Sequence, residues 1–136
     1  VKEFTVPYKV RFQHCDPAGM VFYPRYYEMI NVAVEDFFEQ VLEMPHAWIC
    51  GNGLGIPMRS INVEFLKPSY LGDTIFIHLQ PIKIGNSSVQ FSLEITFESG
   101  EKRVQGSFTI VFVNNLQKRP ISVPQEAADR LRMMVA

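Results

Sequence analysis

The chain is short of the residues that commonly announce a function. Its 136 residues include only two cysteines, Cys15 and Cys50, and these form no CxxC pair. The three histidines, His14, His46 and His78, are scattered without ligand spacing, so neither a disulfide nor a metal site is expected. Cys15 follows His14, but neighbours on an extended chain point to opposite faces, which argues against a thiol and base pair. No apolar run approaches the roughly 20 residues of a membrane-spanning helix. The first residues, Val1-Lys2-Glu3-Phe4-Thr5-Val6-Pro7, lack the basic-then-apolar order of an export signal, and the expectation is a soluble, cytoplasmic protein with no membrane partner. Lys+Arg 13 stand against Asp+Glu 14, with no basic stripe to track a phosphate backbone, so nucleic acid is not an expected partner. Gly51-Asn52-Gly53 lacks the Gly-Lys-Ser/Thr ending of a phosphate loop and does not join a strand to a helix.

What remains is apolar patterning, with 47% hydrophobic residues in a length that suits one domain spanning 1–136. Phe4 to Phe12 alternates as a strand, with Val6, Tyr8, Val10 and Phe12 on one face. From Pro24 to about Leu42 the residues Tyr27, Ile30, Val34, Phe37, Phe38 and Val41 recur at helical spacing, broadened by Met29, Val32 and Ala33. A helix so apolar needs cover on more than one side, and the rest of the chain supplies sheet to wrap it. Met44 to Gly55 reads as a loop. Four strands follow, Ile56 to Leu66, Thr74 to Ile84, Ser87 to Ser99 and Glu101 to Asn114, and the turn residues between them favour antiparallel hairpins. The run Phe108 to Val113 reads as a central strand. Pro124 to Met134 reads as a short covering helix with Ala127, Ala128, Leu131 and Val135 inward.

The most informative stretch is His14-Cys15-Asp16-Pro17-Ala18-Gly19-Met20-Val21-Phe22-Tyr23-Pro24-Arg25-Tyr26. Pro17 removes a backbone donor and Gly19 offers a positive φ, so the chain turns. Pro24 suits the first turn of a helix, which places the helix start near Tyr23. Free amides at that start attract anions and polarise a carbonyl oxygen brought to them. Asp16 is thus either a turn and capping residue or a carboxylate set beside an electrophile.

With its order of strand, long helix and four antiparallel strands, the chain resembles the α+β hotdog fold: a five-stranded antiparallel sheet wrapped around a central helix, here with a short C-terminal helix. The Asp16 segment resembles the active-site motif of the 4-hydroxybenzoyl-CoA thioesterase family, in the branch whose catalytic aspartate precedes the central helix. Phe65-Leu66-Lys67-Pro68-Ser69-Tyr70-Leu71-Gly72-Asp73 and Ser122-Val123-Pro124 are further, weaker matches. The resemblance implies hydrolysis of an acyl-CoA, with Asp16 as nucleophile or general base and the Tyr23 amide bonded to the thioester carbonyl. It needs no cofactor, since coenzyme A is part of the substrate. Gly19 and Pro24 would shape the turn and helix entry, and Phe22, Tyr27 and Asn31 would line the substrate site. Arg59, Ser60 and Lys83 are candidates for CoA contact, with Lys67 a further cation, and solvated surface charge is the alternative for each.

The motif also departs from its relatives. Pro24 follows Tyr23 as in the hydroxybenzoyl type, where short-chain relatives often have histidine, which favours an aromatic acyl group. Asn31 stands where the hydroxybenzoyl type has an acid, so it either lines the pocket or satisfies a backbone group in the core. Around Lys83-Ile84-Gly85-Asn86-Ser87 only Lys83 is basic, so the grip on CoA phosphates differs. Hotdog relatives join sheets edge to edge, which implies a homodimer or homotetramer with Arg59 and Ser60 facing the neighbouring site. The competing readings are a short-chain aliphatic thioesterase, a hotdog dehydratase, for which the histidines are misplaced, and an acyl-CoA-binding protein without turnover.

Overall fold

The apolar periodicity after Phe22 forms α1, Tyr23–Gln40, in the computed structural model, which describes residues 3–135. Its buried stripe is Tyr26, Met29, Ile30, Ala33, Val34, Phe37 and Phe38. Tyr27, expected in that stripe, is 39% exposed, whereas Tyr26 is 4% exposed. The stripe centres on the row Tyr26, Ile30, Ala33 and Phe37, so a residue one position after Tyr26 is rotated to its flank.

Against α1 lies an antiparallel sheet of β1 (Phe4–Lys9), β3 (Met58–Phe65), β4 (Thr74–Ile84), β5 (Ser88–Phe97) and β6 (Lys102–Val111), in the spatial order β1-β4-β5-β6-β3. Alternate residues supply the buried face: Ile75, Ile77 and Leu79 from β4, Val89, Phe91, Leu93 and Ile95 from β5, and Phe108 and Ile110 from β6. Phe37 sets its ring edge-on to Phe91 at 5.1 Å and to Phe4 at 5.4 Å, and Phe91 stacks on Phe108 at 5.0 Å. This is the hotdog arrangement implied by the resemblance. Phe108 to Val111 of the expected central strand lie in β6, an interior strand.

Several expectations are corrected. The first strand ends at Lys9, because Phe12–His14 winds into a 3-10 turn closed by the Arg11 amide donating to His14 Nδ1 at 2.8 Å; Phe12 is turned outward at 82% exposure. Residues Met44 to Gly55 include a short helix, α2 (His46–Gly51), which buries Ile49, and end in β2 (Leu54–Gly55). β3 does not form a hairpin with β4 but pairs with β6, so residues 66–73 are a crossover between separated strands. The last long strand breaks at Phe112, beyond which β7 (Val113–Asn114) pairs with β2 and with β8 (Arg119–Pro120) in a small second sheet. α3 (Gln125–Met134) buries Ala127, Ala128, Leu131 and Met134, and Val135 lies past its end.

Candidate active site

The Asp16 turn is closed by its own backbone. The Asp16 amide donates to the Met20 carbonyl and the Gly19 amide to the Asp16 carbonyl, each at 2.9 Å. Gly19 has φ +80°, which an L side chain rarely adopts. On the next rungs Cys15 bridges Val21, and the Phe22 amide donates to the His14 carbonyl at 2.9 Å. The chain entering and the chain leaving the turn are therefore paired, and the helix starts directly beyond.

Asp16 is half-buried, and its Oδ1 accepts from the Ala18 amide at 2.9 Å. Its Oδ2 has no hydrogen-bond partner among the described residues, so the carboxylate is oriented and keeps one oxygen to spare. At the helix start, Pro24 has no N–H and the Arg25 amide donates to the Phe22 carbonyl at 2.8 Å. That leaves the Tyr23 amide, which donates to no acceptor among the described residues, at the positive end of the helix dipole. An oriented carboxylate and an unused helix-start donor thus belong to one closed loop.

Beside Tyr23 is a cavity of about 350 Å³ whose walls include Tyr23, Tyr26, Phe65, Leu66 and Lys67. Phe65 stacks on Tyr26 at 5.6 Å and meets Tyr23 at 6.1 Å. Burial holds the Tyr26 phenol above its ordinary pKa, an effect opposed by hydrogen bonding to Ser69. Lys67 is paired with Glu101 at 3.0 Å. A second cavity of about 400 Å³ on the outer face of the sheet is lined in part by Glu3, Glu64, Glu94 and His78; its carboxylates would repel a phosphorylated ligand, so it is not the candidate site.

The structure groups Asp16, Gly19, Phe22, Tyr23 and Pro24 on one loop, with Tyr27 on the exposed flank of the following helical turn. Asn31 is exposed, with Nδ2 donating to Glu35 Oε2 at 2.7 Å, which removes the reading of Asn31 as a core residue satisfying backbone. It lines a separate cavity of about 360 Å³ with Val34, Glu35, His46 and Met58. Arg59 and Ser60 are exposed toward the start of β3, five or more residues from Phe65 and thus at least about 17 Å along the strand. Lys83 is exposed near the end of β4, far from the Asp73 end of that strand. Neither Arg59 nor Lys83 forms an ion pair among the described residues. Within one copy of the chain, then, Arg59, Ser60 and Lys83 are not gathered at Asp16.

Sequence reading missed Arg103. It is 7% exposed and bonded to Glu101, Asp73 and Ser69. Burial works against the charge, but the Glu101 and Asp73 carboxylates outweigh it and hold the guanidinium pKa above its ordinary value. No residue pattern signals this, because Arg103 is brought inward by an irregularity in strand register. Among the described residues no group of three His, Cys, Asp or Glu is placed to hold a metal ion, and no helix is long and apolar enough to cross a membrane.

A five-stranded antiparallel sheet wrapped on one long central helix defines the hotdog class, and the comparisons agree with that class. The model of the thioesterase-like superfamily matches residues 10–131, and the chain belongs to that superfamily. A 1,4-dihydroxy-2-naphthoyl-CoA hydrolase of Thermosynechococcus vestitus is 26% identical over 132 residues, covering 89% of this chain and 90% of the relative. A solved 1,4-dihydroxy-2-naphthoyl-CoA thioesterase from Synechocystis superposes with a TM-score of 0.86 at 18% identity, covering 96% of each chain. A Staphylococcus aureus protein solved in complex with CoA gives a TM-score of 0.90 at 14% identity, covering 98% of this chain and 84% of the other. At these identities the two solved structures establish the fold.

Proposed function

We propose that the protein is an acyl-CoA thioesterase of the aspartate-before-helix branch, hydrolysing an aromatic or similarly compact acyl-CoA to the free acid and CoA. The observation that carries this reading is the pairing, on one closed loop, of the half-buried Asp16 carboxylate with the unused Tyr23 amide. In the reaction the Tyr23 amide donates to the thioester carbonyl as its oxygen gains negative charge. Asp16 either removes a proton from the attacking water or attacks the carbonyl itself, giving a mixed anhydride that water then opens. The C–S bond breaks and CoA leaves as a thiolate, a good enough leaving group that a carboxylate and one carbonyl clamp suffice. The aromatic wall of Tyr23, Tyr26 and Phe65 suits a flat acyl group, and the relatives named for a dihydroxynaphthoyl thioester support the same class.

The working unit is a homodimer or a tetramer made of two dimers. Among the described residues β3 has one strand neighbour, β6, and its other edge is unpaired, with Met58 at 39% and Phe65 at 45% exposure on the strand. Antiparallel pairing of β3 with a second copy would bring that copy's Arg59 and Ser60 toward this chain's Phe65 end, which answers their distance from Asp16. In that arrangement Asn31, Arg59, Ser60 and Lys83 serve acyl and CoA binding from both copies.

The test is thiol release from a panel of benzoyl, hydroxybenzoyl, phenylacetyl, and short and medium aliphatic CoA thioesters, with Asp16→Asn as control. The wild type should favour an aromatic thioester, and Asp16→Asn should lose about 10²–10⁴-fold in kcat while still binding substrate. Preference for a short aliphatic thioester would keep the hydrolase and overturn the aromatic pocket. No release above the Asp16→Asn background would leave a binding protein.

A further inference from the structure

We propose that Arg103 is the positioning residue of this site: turned inward by a β-bulge, it clamps the crossover loop Pro68–Asp73, and that loop in turn holds the loop carrying Asp16 and Tyr23. The proposal rests on the hydrolase reading of that loop and adds a residue to it.

The bulge is visible in strand register. β5 and β6 pair Ile95 with Val104 and then Thr96 with Lys102, which leaves Arg103 as the extra residue. Such an insertion re-aims a side chain at a strand end. Here it sends a guanidinium into the protein, where one nitrogen, Nη1, donates to the Pro68 carbonyl at 3.1 Å, Ser69 Oγ at 3.1 Å and Asp73 Oδ2 at 3.2 Å. Nε donates to Glu101 Oε1 at 2.7 Å, and the guanidinium lies over the Phe97 ring at 4.4 Å. Nη1 therefore holds both ends of the crossover loop while Nε holds Glu101 and the planar face lies on Phe97, a combination that the fork of arginine supplies and the single head of lysine does not.

The other side of the crossover loop meets the Asp16 turn. Ser69, itself 0% exposed, accepts the Val21 amide on its carbonyl at 2.9 Å, and the Leu71 amide donates to the Gly19 carbonyl at 2.9 Å. Between these two bonds Met20 bridges Tyr70. The segment fixed by Arg103 is thus the template on which Gly19 to Val21 is laid, and Tyr23 follows two residues after Val21. Catalysis by an oriented carboxylate and a single amide depends on their placement, and a misplacement of about 1 Å from a distant change can cost on the order of 10²-fold. A salt bridge that only added stability would change the fraction folded and leave the folded enzyme's kcat as it was.

The experiment uses the full chain with Arg103→Lys and Ser69→Ala, assayed well below each variant's Tm with the thioester that the wild type turns over fastest. Ser69→Ala keeps every main-chain bond of the loop and carries the test if Arg103→Lys does not fold. Amide hydrogen exchange is followed at Val21 and, as control, at Ile77 and Leu93. Arg103→Lys should lower kcat by at least roughly tenfold with KM little changed, with Ser69→Ala moving the same way by less. Exchange at Val21 should speed up by a similar factor while the sheet amides stay as they were. Folded variants with wild-type kcat and unchanged Val21 exchange would overturn the proposal. A wild type inactive on every thioester would instead sink the hydrolase reading, and Val21 exchange alone would then decide: faster exchange keeps Arg103 as the clamp of the loop, and unchanged exchange removes it.

Discussion

At its C-terminal half α1 is held by rings, with Phe37 edge-on to Phe4 and Phe91 and Phe38 against Phe112, whereas the turn that leads into its N-terminus is held by hydrogen bonds that run from Arg103 through Ser69 to Val21. The first kind of hold is non-directional and stabilises in proportion to apolar area removed from water. The second contributes less net free energy per bond but fixes atoms in place. The contrast implies that this molecule keeps its stability at one end of the helix and its working geometry at the other, and the two can be separated by substitution.

The largest break should come from Phe37→Ala. Phe37 is fully buried at the meeting of α1 with β1 and β5, and losing such a ring costs about 3–5 kcal/mol. Denaturant unfolding should show that loss, while kcat per folded molecule stays near wild type. A fall in kcat as large as that of Arg103→Lys would erase the distinction between the two ends. Next in size is Gly106→Ala. Gly106 lies opposite Val63 and Leu93, and a Cβ there would run into the Asn62 carbonyl on β3. Overpacking of this kind typically costs about 1–3 kcal/mol. Because β3 also delivers Phe65 to the wall beside Tyr23, this variant should raise KM for the acyl-CoA as well as lower Tm. An unchanged KM would mean that Phe65 does not report the position of β3.

The division also explains how much was legible in the sequence. The apolar end was readable, because α1 and the sheet strands announce themselves through periods of 3.6 and 2, and Phe108 to Val111 fell in an interior strand as expected. The Asp16 turn was readable through Pro17, Gly19 and Pro24, whose backbone demands are local. Tyr26 against Tyr27 was decided by one position of helical rotation, finer than periodicity resolves. Arg103 was hidden because its burial depends on a bulge against β5 and on a crossover loop 30 to 35 residues earlier, Asp73 back to Pro68. The β3 crossover was hidden for the same reason: turn residues mark where a strand stops and not which strand it pairs with.

A smaller effect sharpens the polar side of the comparison. His14 is 5% exposed and its Nδ1 accepts the Arg11 amide at 2.8 Å, so the neutral ring fits this place. Burial first, and the Arg25 charge second, lower its pKa from the ordinary value. The folded state therefore resists protonation more than the unfolded chain does. Stability is at full value above the unfolded pKa of about 6.5 and is lost as pH falls through the lower folded value. A plot of Tm against pH should bend downward on the acidic side for the wild type and lose that bend in His14→Gln. An identical acid limb in both would show that other groups carry it.

The smallest expected change in stability is also the most selective. Arg25 makes an exposed i,i+3 pair with Glu28 at 3.0 Å, a contact worth about 0.2–1 kcal/mol or less. Arg25→Ala should leave Tm at pH 8 almost where it was. The same substitution takes away a positive charge that opposes protonation of His14, so the acid bend should become shallower, with its onset near the unfolded pKa unchanged. Added salt, which screens exposed charges, should flatten the wild-type bend too, and the variant's less. If Arg25→Ala lowered Tm at pH 8 by as much as Gly106→Ala, the N-terminal end of α1 would depend on that surface pair for stability, and the separation between the two ends of the helix would fail.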